Sequence, residues 1–187
     1  MKKTLNKGFT LIELLIVMAI LGVLAVVVLV AINPVQQLAR TRDAGRKSTV
    51  TQLGHALEAY YTSHGGSYLT TGSNCPDGGT AWVQCLVDAG ELSTVPAAIT
   101  YSVSGITACT SSGGNDPGEQ NDICYDHDGS ATEALAVARL ESESEASKCS
   151  SGEDPWFVWA TGQGRGGLVC DASQPVCGGD CSVTFTD

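Results

Sequence analysis

Hydrophobic and polar positions divide this chain into three stretches with different periods. Residues 9–32, FTLIELLIVMAILGVLAVVVLVAI, are apolar on every side and carry one charge, Glu13. As a helix they span roughly 36 Å, enough to cross a bilayer core of roughly 30 Å. A helix with no polar face must be covered all round, by lipid or by other helices. From Pro34 the pattern turns amphipathic. Val50, Leu53, Leu57, Tyr60 and Tyr61 recur at three- and four-residue steps, which predicts a helix laying one face on a sheet. At about 100° per residue His55 falls about 140° from Val50, so it faces solvent with Gln52 and Ala59. Gly65-Gly66 ends this helix. Gly22 and Pro34 oppose helix formation, by about 1 and about 3 kcal/mol, and mark candidate interruptions of the helix.

Downstream, short apolar runs alternate with turn-rich linkers. Ile99–Val103 alternates apolar and polar residues, as a strand does. Residues 156–160, 167–170 and 183–185 are further candidate strands, and 135–140 suits either a strand or a helix. Turn material lies between them, at 111–118, 126–130, 162–167 and 177–181. One long helix followed by antiparallel strands is an α+β layout. No internal repeat is visible. The expected organisation is a leader at 1–8, an apolar helix at 9–33, an amphipathic half at 34–64 and one domain at 65–187.

Charge and cysteine content sharpen this picture. Lys2, Lys3 and Lys7 precede the apolar run, and Arg40, Arg42, Arg46 and Lys47 follow it. From residue 48 onward three basic residues stand against 18 acidic ones. Such a surface repels phosphate backbones, so no direct nucleic-acid binding is expected. All eight cysteines lie beyond residue 74. An even count behind a membrane-length helix predicts disulfides in an oxidising compartment. Sequence does not choose among the pairings. Short-range closure favours Cys75–Cys85 and Cys109–Cys124, with Cys149–Cys170 and Cys177–Cys181 to follow. The leading lysines favour a cytoplasmic N-terminus and a C-terminus outside. The basic residues at 40–47 weaken that argument, and the disulfides restore it independently.

Glu13 is costly to bury unpaired inside the apolar run. The residues before it supply a reason for it. Lys7-Gly8-Phe9-Thr10-Leu11-Ile12-Glu13 resembles the signal of bacterial prepilins: a short basic leader ending in Gly, then Phe, then Thr-Leu-Ile-Glu opening an apolar helix. The resemblance to type IV pilins and type II secretion pseudopilins is strong to Ile32 and extends through Ala39–Ala44, Leu53, Ala56-Leu57, Tyr60-Tyr61 and Gly66-Ser67-Tyr68. Members of this family often continue with Tyr-Pro, where this chain has Leu69. The resemblance implies cleavage between Gly8 and Phe9, and N-methylation of Phe9. It implies a pilin-like α+β fold whose helix loosens between Gly22 and Pro34 in the filament. Its implied partners are the prepilin peptidase, a membrane platform with an assembly ATPase, the bilayer before assembly, and other pilin subunits. The new amine at Phe9 lies four residues from Glu13. A neighbouring subunit's amine would give Glu13 a buried ionic partner and set axial register.

Other chemistry is thinly supplied. Gly162–Gly167 lacks the Lys-Ser/Thr ending of a phosphate loop and reads as a hairpin turn. Asp122, Asp126, Asp128 and Glu133 surround Gly129 and are a weak calcium candidate, since their spacing departs from an EF-hand loop. No zinc set, nucleophile elbow or Ser/His/Asp arrangement is suggested, so no catalytic residue and no required cofactor is expected. Glu141, Glu143 and Glu145 read as a solvated edge or loop. Trp156 and Trp159 read as sheet core or a partner contact. The leading expectation is a non-enzymatic structural subunit, held in the membrane and then assembled into an extracellular filament. The alternatives are a type II secretion pseudopilin and an anchored binding domain that does not polymerise.

Overall fold

The computed structural model describes residues 8–70, 82–110 and 118–186. The chain divides into two compact units, Met1–Leu38 and Ala39–Asp187. In the first, Thr10 caps helix α1 (Leu11–Ile32), none of whose residues is buried. It runs unbroken through Gly22, where no atom crowds the missing Cβ. The expected interruption therefore does not occur at Gly22 in the single chain. It sits at Asn33, whose left-handed φ of 44° closes α1. Pro34 then opens helix α2 (Pro34–Ser63), a first-turn position where its missing N–H costs nothing.

The second unit is a five-stranded antiparallel meander covered by α2. The strands are β1 (Gly118–Gln120), β2 (Ile123–His127), β3 (Ala134–Arg139), β4 (Asp154–Ala160) and β5 (Arg165–Asp171), side by side in chain order. Helix α3 (Trp82–Asp88) precedes them, and the short α4 (Glu143–Ala146) joins β3 to β4. Asn121 and Asp122, with φ of 57° and 65°, make the two-residue turn between β1 and β2. Such left-handed pairs match the twist of a tight hairpin.

Both faces of the sheet are covered. Ala134, Ala136 and Ala138 of β3 join Val50, Leu53, Leu57 and Tyr60 of α2 in one core. Leu135 and Val137 face a second core with Trp156, Val158 and Cys124. The small residues lie on the helix side, where backbone must come close. This double burial explains why 134–139 shows no alternation and reads equally as strand or helix. Trp156 and Trp159 are both buried, so they are core and not a free partner surface. Trp159 lies on Gly54 of α2, where a Cβ would stand 2.2 Å from its Cγ. His55 is exposed beside it, its ring edge-on to Trp159 with centroids 4.6 Å apart. Leu69, in place of the family's proline, is fully buried, and its carbonyl accepts the Tyr125 hydroxyl at 3.1 Å.

Two expected strands are absent. Residues 99–103 form none, because side chains satisfy their backbone. Arg46 Nη2 donates to the Ile99 carbonyl at 2.9 Å, and Glu141 Oε2 accepts from the Ser102 and Val103 amides at 3.0 and 3.2 Å. At 183–185, Val183 likewise gives both its backbone groups to the Gln163 side chain, and the one pairing nearby is an isolated bridge from Thr186 to Leu168. Helix α3 has no counterpart among the elements read from the sequence, being too short to show a period. Disulfides join Cys109 to Cys124, Cys149 to Cys170 and Cys177 to Cys181, with Cα–Cα distances of 5.9, 5.3 and 4.5 Å. Cys85 is also disulfide-bonded. Its expected partner, Cys75, lies outside the described residues.

Candidate functional site: the N-terminal signal and its helix

Phe9 precedes the extended Thr10, which leads directly into α1. Thr10 and Glu13 form a reciprocal capping box. Glu13 Oε2 accepts the Thr10 amide at 2.8 Å and the Thr10 hydroxyl at 2.7 Å, while the Glu13 amide donates to Thr10 Oγ1 at 3.3 Å. Two of the helix's first amides are thereby satisfied before any neighbour is present. Glu13 has an intrachain role that the sequence reading missed. Its signal was in plain view as Thr-x-x-Glu ahead of an apolar run. Phe9 is 81% exposed, and every large apolar side chain of α1 is exposed as well. The helix is long and apolar enough to cross a membrane.

The second unit holds a buried ionic cluster that the sequence reading did not assemble. Residues 39, 43, 46, 50, 53, 57 and 60 form one continuous three-and-four stripe of buried positions on α2, and two of them are Asp43 and Arg46. Arg46, 2% exposed, reaches Asp43 Oδ1 and Glu141 Oε1 at 3.0 Å each. Its guanidinium also lies over the Tyr101 ring at 3.8 Å. Arg42 pairs with the same Glu141 oxygen. Asp43 accepts the Glu141 and Ser142 amides at 2.9 and 2.8 Å. The cluster ties α2 to the connection after β3 and to the 99–103 segment.

Glu141 is therefore buried, which corrects its reading as a solvated residue. Glu145, in α4, is bound by Lys47 and Lys148 at 2.7 and 2.8 Å. Burial opposes the Glu141 charge, but the bonds from Arg42, the Ser102 amide, Arg46 and the Val103 amide outweigh it and lower its pKa to about 2. Burial pushes the Tyr101 phenol up. Arg42, Arg46 and Lys47 are thus taken up inside the domain, while Arg40 stays exposed.

The carboxylates considered for calcium are not brought together. Asp122 sits in the β1–β2 turn, where burial raises its pKa. Asp126 accepts the Cys177 amide at 2.7 Å, and Asp128 caps its own loop through Ser130 and Thr132. Glu133 accepts the Cys181 amide at 3.1 Å. Among the described residues no three His, Cys, Asp or Glu side chains gather around a common point.

The N-terminal segment is also where this chain matches known proteins. Residues 3–29 match the family model of the prokaryotic N-terminal methylation motif. A type IV major pilin protein PilE1 of Neisseria gonorrhoeae is 46% identical over 67 residues, 33% of this chain and 36% of that protein. In its N-terminal segment, this chain is similar to type IV pilins. A fimbrial protein of Neisseria meningitidis serogroup B is likewise 46% identical over 67 residues, covering 33% of the chain and 35% of that relative. The pilin likeness thus spans about a third of the length of the curated relatives it matches. No solved structure matches the chain.

Proposed function

We propose that the chain is a structural subunit of a type IV pilus-like filament, cleaved after Gly8, N-methylated at Phe9 and drawn from the membrane into the polymer. One observation carries this reading. A 22-residue helix with no buried residue presents a single carboxylate, four residues beyond Phe9. Such a helix needs lateral cover. In the membrane lipid supplies it; after extraction only other helices of the same kind can. Before assembly Thr10 holds the Glu13 carboxylate. In the polymer the Phe9 amine of a neighbour offers it an opposite charge in an apolar surrounding, a pairing strengthened by low dielectric. Helices slipped out of register would leave both charges unpaired.

The acidic, disulfide-bonded domain then faces the outside, consistent with the leading lysines staying behind. A membrane-anchored domain that never polymerises gives no reason for Gly8-Phe9 followed by Glu13. Mass spectrometry of the mature N-terminus tests the proposal. A chain beginning at N-methylated Phe9 is the expected result, and an intact Met1 start on the protein at its final location overturns it.

A further inference from the structure

We propose that the cleft between the end of β5 and the C-terminal segment 182–184 binds a neutral sugar ring. The cleft encloses about 450 Å³, within the range of roughly 300–1,000 Å³ usual for small-ligand sites. Both walls are tethered to the rest of the domain by disulfides or hydrogen bonds. The β5 wall is tied to the connection ahead of β4 by Cys149–Cys170. The opposite wall is anchored by Cys177–Cys181, by the two hydrogen bonds between Val183 and the Gln163 side chain at 3.1 and 3.3 Å, and by the Thr186 amide on the Leu168 carbonyl at 2.7 Å. A preformed cleft avoids the entropy of ordering loops on binding.

The lining chemistry selects the ligand. Asp171 Oδ1 accepts both the amide and the hydroxyl of Ser173, at 3.0 and 3.3 Å, while Oδ2 takes no hydrogen bond from the described residues. Gln174 Oε1 accepts the Thr110 amide at 2.8 Å, which leaves its Nε2 as a donor. Ser182 and Thr184 add hydroxyls that both donate and accept, and Val169 and Pro175 add apolar surface. Among the described residues, no Lys or Arg lines the cleft. A phosphate, sulfate or carboxylate would meet Asp171 with no cation to offset it. An alkylammonium would satisfy Asp171, but it has nothing for the Gln174 donor to bond. A pyranose brings adjacent hydroxyls for the carboxylate, oxygens for the amide and C–H faces for the apolar residues.

The test is calorimetric titration of the full chain in a detergent without a sugar headgroup. The probes are methyl galactoside, methyl mannoside, lactose and N-acetylglucosamine, with sialyllactose and spermine as charged comparisons. At least one neutral sugar should bind, and Asp171→Asn and Thr184→Val should each weaken it, Asp171→Asn by about tenfold or more. Melting temperatures should stay unchanged. The proposal is overturned if no neutral sugar binds at millimolar concentration, if both variants bind like the parent chain, or if sialyllactose or spermine binds best. None of these results bears on the filament proposal, whose readout is the mature N-terminus.

Discussion

Single side chains decide most of what is specific to this molecule, and Glu13 and Glu141 show two ways of engaging a carboxylate. Glu13 leans on Thr10 in the single chain and is proposed to take a neighbour's Phe9 amine in the polymer. Glu13→Ala removes the ionic partner but leaves the proposed Gly8-Phe9 cleavage site intact. Normal membrane insertion with a sharp loss of filament yield, read by electron microscopy of sheared fractions, is expected. Wild-type yield would refute the register role. Glu141 is held by two arginines and two amides, and its pKa is lowered to about 2 from the ordinary 4.5. A depressed folded pKa means that the ionised form stabilises the fold above pH 4.5. That contribution is lost as pH falls from 4.5 through 2. Glu141→Gln leaves the half-buried Arg42 with a neutral partner and the buried Arg46 with Asp43 alone, an expected cost of about 3 kcal/mol at pH 7. The gap between variant and parent in denaturant melts should shrink between pH 4.5 and 2, and a gap constant over that range would show that Glu141 does not titrate there.

At the level of elements, legibility followed periodicity. Helices α1 and α2 were readable because their patterns run for many turns, and the strands at 156–160 and 167–170 because apolar runs adjoin a glycine-rich turn, although β5 in fact begins at Arg165 inside that turn. Residues 99–103 and 183–185 have strand-like sequences but lie along side chains that satisfy their backbone, a tertiary effect that no local pattern encodes. The ionic cluster was hidden for a related reason. Asp43 and Arg46 occupy stripe positions on α2, but burying them required Glu141, nearly a hundred residues away in sequence and placed there by the end of β3. The signal and the apolar helix needed only neighbouring residues, so they were visible at once. The close pass of β4 over α2 gives an element-scale test. In an exposed helix Gly→Ala stabilises by about 1 kcal/mol. At Gly54 the added methyl would stand 2.2 Å from Trp159 Cγ, and the buried ring has no free direction in which to yield. Overpacking of this kind costs about 1–3 kcal/mol, enough to reverse the propensity gain. Gly54→Ala should therefore lower the denaturant midpoint, together with a change in Trp emission. A raised midpoint would mean that Trp159 can move off Gly54 without cost.

For the whole molecule, the division at Leu38–Ala39 separates two kinds of solvent requirement. The buried apolar residues of both cores begin at Val50, and the ionic cluster begins at Arg42. Nothing in α1 is buried. The domain's folding free energy should then owe nothing to the apolar helix, whose exposed side chains need lipid or other helices. Removing residues 1–33 keeps α2 from its proline onward, every core residue and every described disulfide. The truncated chain should be soluble without detergent, give a cooperative thermal transition within a few degrees of the full chain in micelles, and form no filament. Loss of cooperativity would mean that α1 contributes to the domain's stability. Polymerisation of the truncated chain would be the more serious result, because it would move the assembly surface from the helix to the domain. Glu13 and Phe9 would then have no part in setting register. Sedimentation velocity separates these outcomes, since a monomer, an unfolded chain and a polymer sediment at distinct rates.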